Sequence, residues 1–149
     1  MGQGARCAIV AVDDVPDTAA RLGRARLNQA DLTGATLAGS DLRETRLAGA
    51  KLAGADMRGV ILDGQNLREM DLHGIDFTLA DMVEVNFTDA DLKGAQLAGV
   101  NLFGANLHGA DLRDANLEGA NLENAILSDA RIEGAKFEAA IMPDGHRAP

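Results

Sequence analysis

From Leu27 to Met142 every fifth residue is a large apolar one: twenty-four positions, of which seventeen are Leu, three Met, three Phe and one Ile132. In a chain that is 46% hydrophobic, chance produces such a run with a probability on the order of 10⁻⁸, so the period is structural. Taking each of these residues as i, sixteen of the twenty-four i−2 positions are Ala, and thirteen of the i+2 positions are Gly. No other position of the repeat contains Gly. A five-residue step on an α-helix rotates each side chain by roughly 140° and smears the apolar set around the cylinder, which excludes a long helix. In extended chain, i−2 and i face one way while i−1 and i+1 face the other. The glycines at i+2 then mark corners, because Gly accepts the positive φ of the third residue of a type II turn. Each unit reads as a short extended piece followed by a corner.

Ala30-Asp31-Leu32-Thr33-Gly34, Ala105-Asn106-Leu107-His108-Gly109 and Ala120-Asn121-Leu122-Glu123-Asn124 resemble the A-(D/N)-L-x-x unit of the pentapeptide-repeat proteins. The resemblance covers residues 25–144. It implies an all-β fold, a right-handed quadrilateral β-helix with four units per coil and residue n stacked on n+20. Twenty-four units then make about six coils, a rod roughly 29 Å long at the ~4.8 Å spacing of adjacent strands. Residues 1–24, with a weakly alternating Cys7–Val12 and an Asp17-capped stretch ending at Arg24, are expected to cap the N-terminal end. Residues 145–149 are expected to form a tail.

Lone Cys7 has no partner for an internal disulfide, which fits a reducing cytoplasm. Cys7–Val12 is too short for a signal core or a membrane span, so a soluble cytoplasmic protein is expected. Catalytic chemistry is not expected either. With three His, two Ser and one Cys, and with His73 and His108 on different faces, neither a nucleophile–base pair nor a His metal cluster is expected. No metal or cofactor is therefore assigned. Asp71, Asp91 and Asp111 stack in one column, a carboxylate ladder with the oxygen ligands for a cation but read in preference as a surface ladder partly neutralised by Lys93 and Arg113. Asn66, Asn86 and Asn106 form a second column, read as an amide ladder. Four aromatics and a net charge of −9 disfavour direct binding of nucleic acid.

The outer residues divide unequally among the four faces. The face centred on Leu42, Leu62, Met82, Leu102, Leu122 and Met142 carries Arg43 against Asp41, Glu44, Asp63, Asp81, Glu84, Glu123 and Asp144, a net charge of −6. It also places Ile61, Val83, Phe103 and Ile141 at outward positions, with Leu79 at the adjoining corner. A contiguous apolar set rimmed by carboxylates reads either as a stabilising column in which Phe103 packs on Val83 or as a partner surface, for which Asp63, Leu79, Asp81, Val83, Glu84, Phe103 and Glu123 are the candidate contact residues. The function expected is a non-enzymatic scaffold that presents an acidic rod surface to a protein partner. The resemblance implies an alternative, mimicry of duplex DNA toward a type II topoisomerase such as DNA gyrase or topoisomerase IV. Against that alternative, the six coils carry −10 over their length, about one charge per ~3 Å, where B-DNA carries one per ~1.7 Å.

Two irregularities remain. Val60, Gln65, Met70, Ile75 and Val85 replace Ala at inward positions, so the tube is expected to widen or shift there, with Gln65 bonding a backbone group. After Met142 no helix covers the last coil. Its open edge, with Ile126, Ile141 and Met142 beside it, points to a homodimer through the C-terminal end, the competing arrangement being residues 143–149 folded back over the edge.

Overall fold

The computed structural model describes residues 24–149, so the cap expected at residues 1–24 lies, but for Arg24, outside them. The described chain is a right-handed quadrilateral β-helix of six coils: coil 1 (25–44), coil 2 (45–64), coil 3 (65–84), coil 4 (85–104), coil 5 (105–124) and coil 6 (125–144). Each side is so short that one residue, at i−1, forms the parallel bridge to the next coil, as in Arg26 to Arg46, Asp91 to Asp111 and Asn121 to Ile141. Register n to n+20 is bridged around the rod except between coils 2 and 3, where Arg46 with Asn66 and Lys51 with Asp71 form no bridge. Among the described residues no helix is long and apolar enough to cross a membrane.

The corner explains the glycines. The amide of i+3 donates back to the carbonyl of i, for example Ala35 to Leu32 at 2.9 Å, and i+2 has positive φ, +69° at Gly34. The ladder uses the amides of i−1, i and i+2, and the corner uses that of i−2, which leaves i+1 unpaired. An Asp or Asn at i−1 supplies the acceptor: Asp31 Oδ1 takes the Thr33 amide at 3.1 Å, and Asn116 Oδ1 the Glu118 amide at 3.0 Å. That is why D or N precedes L in the repeat. It also corrects the reading of the Asn column, since Asn66, Asn86 and Asn106 each accept from the amide two residues on instead of bonding one another.

Inward residues at i and i−2 fill the tube. Burying a Leu- or Phe-sized side chain contributes about 1.5–3 kcal/mol, and Leu42, Leu62, Phe77, Met82 and Leu102 are all fully buried. In the middle of the rod the corners at most of the larger inward residues are stretched. Where i−2 is Val60, Met70, Ile75, Val85 or Val100 the corner bond stretches to 3.3 Å, against 2.8 Å at Ala80 and 3.0 Å at Ala90. Phe77 and Phe87 meet edge to face there, with ring centroids 6.2 Å apart.

At the C-terminal end the chain folds back, and the expectation of an uncovered last coil is corrected on one side. Residues 143–149 turn at Gly145 and lay Arg147 antiparallel to Ile141, with Met142 N donating to His146 O at 2.8 Å and Ala148 N to Ala140 O at 2.8 Å. The other three sides of coil 6 stay open among the described residues. Ile126 and Ile132 are 49% and 47% exposed, and Leu127, Phe137 and Met142 are half-buried.

Candidate functional site

The helix brings the fourth-face residues together. Val83 and Phe103 lie on consecutive coils, with the Glu84 amide bonded to the Phe103 carbonyl at 2.8 Å. Ile61, Val83, Phe103 and Ile141 are half-buried rather than fully exposed as read from the sequence, because side chains stacked at strand spacing cover one another. Arg43 is held by Asp41 in a two-pronged pair at 2.9 and 2.7 Å. Glu44 accepts from Arg24 at 2.9 Å. Asp63, Asp81, Glu84 and Glu123 have no cationic partner among the described residues. Asp63 Oδ1 accepts the Val83 amide at 3.0 Å, and burial pushes its carboxyl above the usual carboxylate range. Asp81 accepts from Asn101 Nδ2 at 3.0 Å, and Asn121 Nδ2 donates to Asn101 Oδ1 at 3.3 Å. The cross-coil polar ladder thus runs up this face.

Leu79 stands apart. It occupies the corner column of Gly39, Gly59, Gly99 and Gly119, yet it is a Leu, 71% exposed and held at φ +59°. Its Cδ2 lies 2.7 Å from where a Cβ on residue 99 would stand, so it fills space that Gly99 leaves free. The other non-glycine residues with positive φ are polar or Ala. A large apolar side chain in this region of φ is strained, and in solvent it gains no burial to offset that strain. The sequence signal for it was simply the break in the glycine column.

The remaining polar clusters are weaker. Contrary to the reading that no nucleophile meets a base, Ser128 stacks on His108, with Oγ 2.9 Å from Nδ1. Asp129 sits 3.6 Å from that same nitrogen, whereas a relay needs the hydroxyl and the orienting carboxylate on opposite ring nitrogens. Asp71 and Asp91 of the carboxylate column form a second group with His73, which the sequence reading did not include, all exposed, with ligand atoms within 4.8 Å of one another. The hydrogen bond to Asp71 raises the His73 pKa and lowers that of Asp71. Lys93, in the position stacked on His73, makes no ion pair among the described residues. Arg113 does: it holds Asp111 through Nε at 2.8 Å and brings that carboxyl down to about 2.

Comparison with known proteins places this geometry. The family described as pentapeptide repeats matches in 8 copies, over residues 18–47, 25–64, 40–78, 80–119 and 105–142. HetL, a pentapeptide repeat protein involved in heterocyst differentiation regulation in the cyanobacterium Nostoc sp. strain PCC 7120, is similar with a TM-score of 0.60 and 32% identity, covering 84% of this chain and 67% of that one. Rfr23 of the cyanobacterium Cyanothece 51142 is 32% identical with a TM-score of 0.49, over 74% of this chain and 86% of its own. QnrB1, a plasmid-mediated fluoroquinolone resistance protein, is 18% identical with a TM-score of 0.36, over 77% of this chain and 68% of its own. No curated protein sequence matched significantly.

Proposed function

The chain belongs to the pentapeptide-repeat family, and from that premise we propose that it is a non-enzymatic, cytoplasmic scaffold presenting the acidic fourth face of its rod to a protein partner. The observation that carries this reading is Leu79, strained at φ +59° and 71% exposed beside Asp81, Val83, Glu84 and Phe103. Strain and exposure both cost stability, and an apolar anchor entering a socket on a partner recovers the cost. The unpaired carboxylates around it select a partner whose socket is rimmed by Lys and Arg. Affinity capture from the native cell extract, identified by mass spectrometry, tests this. Leu79→Gly, and Val83→Ser with Phe103→Ser, should lose one discrete protein while circular dichroism and melting show an intact rod. An unchanged captured set overturns the reading.

A second reading, mimicry of duplex DNA toward a type II topoisomerase, is favoured by the net −6 concentrated on one face. Purified DNA gyrase in a supercoiling assay separates the two: inhibition or protection at micromolar protein supports mimicry, and its absence leaves the scaffold. A homodimer through the C-terminal end belongs to the same proposal. The tail already occupies the edge at Ile141 and Met142, so the contact would centre on Ile126 and the open sides of coil 6. Sedimentation equilibrium showing one species near 15.5 kDa would refute it.

A further inference from the structure

Backbone hydrogen bonds join consecutive coils unevenly. Among the described residues twelve link coils 3 and 4, twelve link coils 4 and 5, twelve link coils 5 and 6, and eleven link coils 1 and 2, but only five link coils 2 and 3. All five lie on one side of the rod, where Met57, Gly59, Leu62 and Gly64 donate to coil 3 at 2.8–3.1 Å and Asp81 donates back to Val60 at 2.9 Å. The Asp63 carboxylate adds a further tie on that side by accepting the Val83 amide at 3.0 Å. On the faces centred on Leu47 and Leu52, the amides of Leu47, Gly49, Leu52 and Gly54 have no backbone acceptor among the described residues, and those of Asn66 and Asp71 do not donate to coil 2. The Thr45 carbonyl, which the register offers to the Asn66 amide just as it offers the Gln65 carbonyl to Asn86 at 2.8 Å, is taken by Gln65 Nε2 at 2.9 Å. Side chains beside this seam bond within coil 3 or to coil 4, Arg68 to Glu69 and Asp89 and Asp71 to His73. The core beneath stays shut, with Leu47 and Leu52 only 2% and 1% exposed, so the break is in bonding and not in packing.

We propose that this junction is a hinge, with its axis along the bonded faces centred on Met57 and Leu62 and its opening on the faces centred on Leu47 and Leu52. Backbone hydrogen bonds are directional and fix the spacing of neighbouring strands. Apolar contact is non-directional and tolerates a small rotation of one coil over the next. A coil tied to its neighbour along half its perimeter therefore rotates about the tied half. Amides without an acceptor add to the free energy of the closed form, and water that reaches them on a slight opening relieves it. The rod is then two rigid segments, coils 1–2 and coils 3–6, joined along one side. That side includes the acidic fourth face. Because Leu62, Asp63 and Gly64 keep this face tied across the junction, its surface stays continuous while its curvature changes, Asp41 tilting with the first segment relative to Asp81 and Glu84 on the second. Adaptation to the shape of a partner on that face rests on the scaffold reading, whereas the hinge itself does not.

Distances between paired spin labels on the full chain test the hinge. Labels on Thr33→Cys and Lys93→Cys lie three coils apart and straddle the junction. Labels on His73→Cys and Glu133→Cys lie three coils apart on the same face, wholly within coils 3–6. All four positions are exposed, and Cys7→Ser in both proteins removes the native thiol. Pulsed electron paramagnetic resonance of the frozen ensemble should give the straddling pair a distance distribution at least roughly twice as wide as that of the other pair. Equal widths overturn the hinge. Amide hydrogen exchange of the unlabelled wild-type protein, read residue by residue by NMR, supplies a readout that no label can disturb. The amides of Leu47 and Leu52 should exchange at least roughly 100-fold faster than those of Leu92 and Leu97, whose ladder bonds are made. Comparable protection at the four positions overturns the proposal whatever the labels show.

Discussion

The side-chain amide of Gln65 donates to the carbonyl of Arg43 at 2.7 Å across the interior of the tube, and this one contact sets a corner apart from its neighbours. The same nitrogen lies 2.7 Å from the Leu42 carbonyl and 2.9 Å from that of Thr45. Thr45 still donates to Leu42 at 3.1 Å, so the turn survives. Yet Glu44 does not have the positive φ of ordinary corners, and its amide does not reach the Asp63 carbonyl as the ladder requires. The central peptide is turned over relative to the other corners, the difference between type I and type II turns. Gln65 holds its carbonyl inward.

Gln65→Leu should therefore destabilise the rod by about 1–3 kcal/mol, the cost of leaving buried carbonyls without a donor. In that background Glu44→Gly should recover part of the loss, because Gly permits the ordinary positive φ. In the wild type the same change should be neutral or harmful. Urea unfolding of the four proteins gives the coupling, and additive effects would refute the link between Gln65 and the corner.

Register predicts a sharp contrast between two substitutions. Leu102 is fully buried and Glu118 exposed, so Leu102→Asp should unfold or aggregate the rod at a cost of several kcal/mol. Glu118→Lys should stay within about ±0.5 kcal/mol. Thermal melts of the two variants decide the matter, and similar melting temperatures would refute the assignment.

Two carboxylates should leave opposite marks on the pH dependence of stability. Hydrogen bonding to Arg113 depresses Asp111 to about 2, so its contribution is present above the unfolded value near ~4 and is lost as pH falls toward ~2. Asp111→Asn should then melt below wild type at pH 7, and the gap should close in acid. Burial raises Asp63, so the folded state favours its protonated form and the ionised group lowers stability above the carboxylate range. Asp63→Asn should melt above wild type at pH 7, the advantage vanishing by about pH 3. Melting curves between these limits check both signs.

Much of this molecule was legible in its sequence because a five-residue repeat leaves little freedom: apolar Leu at i, Ala at i−2 and Gly at i+2 define inside, outside and corner locally. The coil and the charge of the fourth face follow once n is stacked on n+20. What required the tertiary structure were the places where the repeat is broken. The inward Gln65 could be read as needing a partner, but not that the partner was Arg43 or that the corner would turn over to meet it. Nor could the repeat show that the ladder between coils 2 and 3 lacks its bonds on the faces centred on Leu47 and Leu52 while the other faces keep theirs. The Asp81–Asn101–Asn121 ladder, the Ser128–His108 contact and the tail laid on Ile141 are likewise decided in three dimensions. Side chains chose among several acceptors at similar distances, and a linear pattern carries no record of that choice.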